Sequence, residues 1–482
     1  MTVSVLRVLP TAVLAAAGLV LALAPPDGHY GLLLAVVPFL AASVHGAQAT
    51  AALGLLTVAA FGGLHLWRTE DSADVALIKL AFVTAAGLIA VLVSQARGRE
   101  RTLDRTRNVA LALQQGLLPR AVPGNSAVDV CHRYVPTDTE AGVGGDWFDV
   151  IKLSGARVAL VMGDVVGHGI HAAATMGRLR TAVRTLADLD LPPDELLARM
   201  DDLTAQLTDE DDTRDLGATC LYLVYDPVSR RCTMASAGHT PPALARPGGT
   251  VEFPRLATHP PLGIGGTPFT TTELTLDEGT VIALYTDGLL DLRGRGPDAA
   301  LRDLADALTP ADRPLPQICE RIHAQAPADR DDDIALLVAR VGTVPADSVA
   351  TWEFPPGPAS AGRARAATSG QLERWGLDEA AFTAEIVVSE LVTNAVRHAA
   401  PPVALRLIKD ETLIFEVSDG SGTAPHMRLP RLMDEGGRGL YLVGALADRW
   451  GTRYTETGKT VWVDLPMPAR ASGGAAAIET VP

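Results

Sequence analysis

Val161-Met162-Gly163-Asp164-Val165-Val166-Gly167-His168-Gly169 reads as an apolar strand that ends on a carboxylate and turns, through glycines, into a helix over Ala172–Ala187. The same kind of ending recurs along the chain. Gly144-Gly145-Asp146-Trp147-Phe148-Asp149 comes just before it. Tyr285-Thr286-Asp287-Gly288 closes the apolar run Val281–Tyr285, and Asp331-Asp332-Asp333-Ile334 opens the run Ile334–Ala339. Other strand-like runs are Val158–Met162 and Thr219–Tyr225, with a second helical stretch at Pro193–Leu207. From Asp129 to Val341 this alternation predicts an α/β sandwich, antiparallel sheets covered by helices.

One Asp-Gly after a strand is usually a turn. Four carboxylates at the ends of separate strands are different, because they can meet on one sheet edge. Like charges gathered there repel and are costly to desolvate. Divalent cations remove that conflict, and hard oxygen ligands select Mg²⁺ or Mn²⁺. Two such ions ~4 Å apart can activate a water for in-line attack on phosphorus. Glycines beside Asp146 and Asp164 let backbone approach the ions closely. His168 and His239 stand near these motifs; either could act as a general acid, and roles in holding loops are favoured for both.

The motifs GGDWFDV, GDVVGHG, AGHTPP, YTDG and DDDI resemble those of PPM-type protein phosphatases of the bacterial SpoIIE-like branch. Leu113-Gln114-Gln115-Gly116-Leu117-Leu118-Pro119 is similar to the segment preceding the domain in that branch, so the resemblance runs from about Leu111 to Val341. It implies that Asp164 bridges two metals, with the Val165 carbonyl on one of them. It places Asp287 and Asp332 on the other metal and Asp146 on a metal directly or through water. Asp333 takes a neighbouring motif position. Gly-Gly-Asp also occurs near signalling cyclases, but the remaining aspartate motifs do not suit a cyclase.

Charge and hydropathy bound the rest. The chain has 482 residues, 41 Lys and Arg against 56 Asp and Glu, a net charge of −15 and 48% apolar residues. An acidic chain is a poor general candidate for nucleic acid. Cys131, Cys220, Cys232 and Cys319 are scattered without CxxC spacing and read as reduced thiols. The apolar excess sits in the first hundred residues, in runs over 6–24, 30–44, 48–67 and 75–93. These predict three or four membrane helices. Arg97, Arg99, Arg101, Arg105 and Arg107 follow the last run and place what comes after them in the cytoplasm. Ala22-Leu23-Ala24 offers a signal-peptidase site, but Pro25 and three more apolar runs follow it. Residues 95–119 predict a connecting helix that could pair two copies into a homodimer.

Beyond a Pro-rich linker at 344–358, Ala380–Ala399 predicts a helix with Glu390, Asn394 and His398 on one face. A strand over Thr412–Val417 ends in Ser418-Asp419-Gly420-Ser421-Gly422. Glu435-Gly436-Gly437-Arg438-Gly439-Leu440 then opens a helix, Leu440–Asp448, whose Gly-rich start is a natural phosphate seat. Residues 350–465 resemble the GHKL (Bergerat) ATPase superfamily, and most closely anti-sigma-factor serine kinases. The resemblance implies ATP with Mg²⁺, Asn394 on that ion, Glu390 as base and Asp419 on the adenine. Gly437, Arg438 and Gly439 would lie along the phosphates. Ser421 stands where the family often has glycine.

The expected order is therefore a transmembrane region at 1–94 and the connecting helix at 95–119. An α-β-β-α phosphatase sandwich at 120–343 follows, then the linker, an α/β ATPase sandwich at 359–467 and a tail at 468–482. The expected substrate is a phosphoserine or phosphothreonine regulator resembling an anti-sigma-factor antagonist, with a sigma factor as a further partner and the lipid bilayer as anchor. The competing expectation is a membrane-tethered module that sequesters a sigma factor or antagonist, with vestigial catalysis at the C-terminus.

Overall fold

The computed structural model describes residues 34–67, 73–117, 127–135, 144–167, 169–210, 217–266, 268–290, 296–325, 332–398, 401–422, 439–455 and 457–467, with parts of 10–23. The chain divides into two compact units, 1–109 and 110–482.

The first unit is helical: α1 (Val36–Val44), α2 (Ala47–Trp67) and α3 (Ala73–Leu117). Leu34, Phe61 and Val83 form its small core. Gly54 on α2 and Gly87 on α3 face each other at 3.8 Å, measured from an added Cβ to the opposing Cα, so small residues let the backbones approach. Among the described residues, one helix segment is long and apolar enough to cross a membrane: Leu77–Arg99, 23 residues with a mean hydropathy of 2.3. Leu77, Ile78, Phe82 and Leu92 on it are exposed. Ala47–Gly63 is apolar but shorter. The run at 30–44 yields α1, whose 9 residues are too few for ~30 Å of hydrocarbon. Of the run at 6–24, residues 10–17, 19 and 23 are described, and they are helical. The connecting helix expected at 95–119 is not a separate element; α3 runs through it without a break.

The second unit holds two sandwiches. In the first, β1 (Val128–Val135), β2 (Trp147–Lys152) and β3 (Val158–Val165) lead to α4 (Ile170–Ala187) and α5 (Pro193–Glu210). Then come β4 (Ala218–Asp226), β5 (Arg231–Ala237), β6 (Ala243–Ala245), β7 (Val251–Glu252), β8 (Thr272–Thr275) and β9 (Val281–Tyr285). The helices α6 (Pro297–Leu308) and α7 (Leu315–His323) and the strand β10 (Ile334–Val341) complete it. Two antiparallel sheets, ordered β1-β10-β9-β6-β7 and β2-β3-β4-β5-β8, pack face to face. Alternation explains why the central strands are apolar throughout. On β3, Leu160 and Met162 enter the layer between the sheets, while Ala159 and Val161 meet α4 and α5. On β10, Leu337 and Ala339 face inward, while Leu336 and Val338 meet α6 and α7. Each fully buried Leu, Val or Met contributes roughly 1.5–3 kcal/mol. The layers are α-β-β-α.

The second sandwich contains β11 (Val349–Phe354), α8 (Ala359–Trp375), α9 (Ala381–His398), β12 (Val403–Lys409), β13 (Thr412–Asp419), α10 (Gly439–Leu446), β14 (Arg449–Thr455) and β15 (Gly458–Pro466). One antiparallel sheet, β11-β12-β13-β15-β14, is covered on one face by the helices through Leu405, Leu407, Phe415, Val461 and Val463. Within the stretch expected as a linker, Val349–Phe354 is an edge strand paired with β12. Its Trp and Phe are strand formers that the flanking prolines obscured.

The sheet's other face meets the first sandwich. The β2–β3 turn sets Ala156 into an apolar seam with Val344, Ile408 and Ile414. Around the seam, Arg453 donates to Ser154 Oγ at 2.8 Å and Lys152 pairs with Glu411 at 2.5 Å. The buried Glu416 holds both Arg406 and Arg453.

Candidate functional site

Asp146, Asp164, Asp287, Asp332 and Asp333 stand at one end of the paired sheets, where Asp146 and Asp164 feel the charge of the others. Asp146 precedes β2 and Asp164 is the penultimate residue of β3; Trp147 pairs with Gly163, so the two carboxylates come off neighbouring strands. The Val165 amide donates to the Gly145 carbonyl at 3.2 Å. From the other sheet, Asp287 follows β9, while Asp332 and Asp333 precede β10. The two sheets are stitched through Thr286. Its hydroxyl donates to Asp146 Oδ2 at 2.7 Å and accepts from the Ala335 amide at 3.0 Å. Tyr134 on β1 donates to Asp333 Oδ2 at 2.9 Å.

Burial pushes the Asp146 carboxyl well above the usual range, and the neighbouring Asp164, Asp333 and Asp332 push it further. Asp164 is raised as well, first by burial, with repulsion from Asp287, Asp332 and Asp333 added. The carboxylates therefore act on one another, and no basic side chain stands among the groups that shift them. A site of this kind suits cations. Gly144 and Gly145 complete the cradle: a Cβ on Gly144 would collide with the Asp333 carboxylate, and one on Gly145 with the Val165 carbonyl. Among the described residues, no group of three His, Cys, Asp or Glu side chains is gathered tightly enough to hold an ion by itself. Mg²⁺ commonly takes only one or two carboxylates and keeps its waters, so a looser set of hard oxygens still fits it. Asp287 and Asp332 are exposed to solvent.

Asp149, in the same motif as Asp146, has a different role. Fully buried, it receives Arg184 at 2.5 Å and Arg180 at 2.9 Å and so ties β2 to α4. His239 Nδ1 lies 2.7 Å from Thr219 Oγ1, and its Nε2 is enclosed. Burial lowers its pKa to about 4, which leaves the ring neutral near pH 7. Its backbone is held by Ser236, which accepts from the His239 amide at 3.1 Å. His168 lies outside the described residues. Sequence reasoning missed Thr286 and Tyr134 as supports for the carboxylates; Thr286 stood inside a quoted motif, whereas Tyr134 carried no signal.

In the second sandwich, Glu390 and Asn394 lie one turn apart on α9, both half-buried. A Cβ on Gly439, at the start of α10, would strike the Glu390 carboxylate, so the helix start and the acid are in contact. Asp419, nearly buried, already has partners: Lys459 Nζ at 2.8 Å and the Ser421 amide at 2.9 Å, both on Oδ1. Lys459 was not foreseen. Gly437 and Arg438 lie outside the described residues.

Residues 154–342 match the Stage II sporulation protein E (SpoIIE) family and residues 354–465 the histidine kinase-like ATPase domain. The chain is 26% identical over 198 residues to the phosphoserine phosphatase RsbU of Bacillus subtilis (strain 168), covering 41% of this chain and 57% of that protein. It is 28% identical over 174 residues to the phosphoserine phosphatase RsbP of the same organism, covering 34% and 43% respectively. The chain thus spans about half the length of the curated relatives it matches. A solved structure of the RsbU and RsbW domains of a Mycobacterium tuberculosis protein shares 26% identity, covers 73% of this chain and 97% of its own, and superposes with a TM-score of 0.44.

Proposed function

We propose that this chain, which carries a SpoIIE-type PPM phosphatase domain followed by a histidine kinase-like ATPase domain, is a metal-dependent protein phosphatase that removes phosphate from serine or threonine of a small regulator protein. The supporting observation is that Asp146 and Asp164 of one sheet and Asp287, Asp332 and Asp333 of the other stand at the same end of the sandwich, where their charges oppose one another. Two Mn²⁺ or Mg²⁺ ions bound there would supply Lewis acidity toward the phosphate and lower the pKa of a water. In this reading Asp164, the Val165 carbonyl, Asp287, Asp332 and Asp146 would hold the two ions. Thr286 orients Asp146, and Tyr134 orients Asp333.

The regulator is of the anti-sigma-factor antagonist class, in keeping with relatives named phosphoserine phosphatases. The C-terminal domain binds ATP with Mg²⁺, with Asn394 on the ion, Asp419 toward the base, and Gly437, Arg438 and Gly439 along the phosphates. Glu390 is placed to act as base if the domain phosphorylates the same regulator. A second reading has its own observation. Lys459 and the Ser421 amide both hold Asp419 Oδ1, a fixed structural role that favours a C-terminal domain that holds a sigma factor or antagonist without turnover. The chain is anchored in a bilayer through Leu77–Arg99, with the runs at 6–24 and 48–67 as further spans of a multi-pass membrane protein, its catalytic domains in the cytoplasm, and it pairs with a second copy through 95–119.

The test is Mn²⁺-dependent release of phosphate from a phosphoserine protein by the full chain. Asp164→Asn should lower the rate at least about tenfold, because metal-assisted attack dominates it. A smaller loss would overturn the assignment.

A further inference from the structure

Beside the carboxylate cluster the sheet of β2, β3 and β4 continues past its last strand residues. Val165 pairs with Ala218, and Ala218 is bridged to Leu262, the Leu262 amide donating to the Ala218 carbonyl at 2.8 Å. All three residues are buried. One residue further out lies a second row. There the Val166 amide donates to the Gly217 carbonyl at 2.9 Å, and the Gly263 amide donates to Asp201 Oδ1 of α5 at 2.7 Å. Gly263, Gly265 and Gly266 all have positive φ, at 88°, 72° and 97°. This glycine loop, pinned at Gly263 by α5, presents Ile264. Val166 is 56% and Ile264 65% exposed, and Val166 follows Asp164 by two residues.

Single exposed aliphatic side chains are ordinary. Two that follow backbone paired outward from Asp164, Val166 directly and Ile264 through the Ala218–Leu262 bridge, are not accounted for by the packing beneath them. We infer that Val166 and Ile264 form an apolar shelf that grips aliphatic side chains flanking the phosphoserine of the protein substrate. The inference rests on the phosphatase reading above and names what its substrate must carry. With the phosphate at the carboxylates, an extended segment advances ~3.3 Å per residue, so a residue one to three positions from the phosphoserine comes within reach of this lip. Charge does not supply the grip: the chain carries −15, which opposes a phosphorylated partner. Contact with an aliphatic side chain works regardless of that charge.

The test uses the full chain, Mn²⁺ and three probes: p-nitrophenyl phosphate, a phosphoserine peptide with leucines beside the phosphoserine, and the same peptide with glycines there. Wild type should prefer the leucine peptide about tenfold or more in kcat/KM, the scale of discrimination by a few methylenes. Val166→Ser, Ile264→Ser and their combination should bring that ratio toward one, and Ile264→Leu should keep it. Equal turnover of both peptides by wild type, or an unchanged ratio in the double variant, overturns the shelf while leaving the hydrolase standing. No turnover of any probe overturns the phosphatase reading and the shelf with it. Melting curves of each variant check folding, since both side chains are exposed.

Discussion

Thr286 Oγ1 donates to Asp146 Oδ2 at 2.7 Å and in the same place accepts from the Ala335 amide at 3.0 Å. One hydroxyl thus joins a carboxylate of one sheet to the backbone of the other, with both side chains buried. Thr286→Val keeps the shape and removes both bonds. It should cost about 1–3 kcal/mol of stability, because a buried amide and a buried carboxyl lose their partner. It should also weaken Mn²⁺ binding measured by calorimetry, and Thr286→Ser should restore both properties. Unchanged Mn²⁺ affinity in Thr286→Val would show that the hydroxyl does not orient Asp146.

Gly145 and Gly439 are both places where a Cβ would collide, but the obstacles differ. Gly145 faces the Val165 carbonyl, a backbone atom at the end of β3, whereas Gly439 faces the tip of the Glu390 side chain. Backbone cannot step aside cheaply; a side chain can rotate. Gly145→Ala should therefore abolish Mn²⁺ binding and lower the melting temperature. Gly439→Ala should leave the fold intact and change only nucleotide binding, read by fluorescence titration.

Asp464, on β15 beside the seam between the sandwiches, has its pKa pushed up to about 6 by burial, with Arg449 pulling the other way. Its folded value lies above its unfolded one. The folded state therefore binds the proton more tightly, and stability falls as pH rises from about 4 to about 6. Above that window the protein carries a penalty of order 3 kcal/mol. Asp464→Asn should be more stable than wild type at pH 7 and lose that advantage near pH 4. Denaturant midpoints at the two pH values check this, and a constant difference between the two proteins would refute it.

Glu416 is 2% exposed at its side chain and faces both Arg406 and Arg453. Glu416→Ala strands two cations in a half-buried seam and should cost about 3–5 kcal/mol. Lys152 and Glu411 lie in the same seam but are exposed, so Lys152→Ala should cost less than about 1 kcal/mol. Calorimetric unfolding of the two variants separates the cases.

Much of this architecture was legible because the relevant residues mark strand ends. Asp164, Asp287 and Asp332 each follow or precede an uninterrupted apolar run, and such runs become strands when both faces are covered. β1 was harder to read: His132 and Arg133 interrupt its pattern, and it is recognisable only through its pairing with β10. β11 was hidden by neighbouring prolines. The supports Tyr134 and Lys459 come from strands remote in sequence from the groups they hold, and nothing local announces such a partnership.

The stretch 342–348 joins the two sandwiches and exposes Pro345, Ala346 and Asp347, yet the halves are held elsewhere, by Ala156 against Ile408 and Ile414 and by Arg453 on Ser154. Peptide-bond scission at Ala346 would consequently leave a nicked pair that migrates as one particle under native conditions and separates only in denaturant.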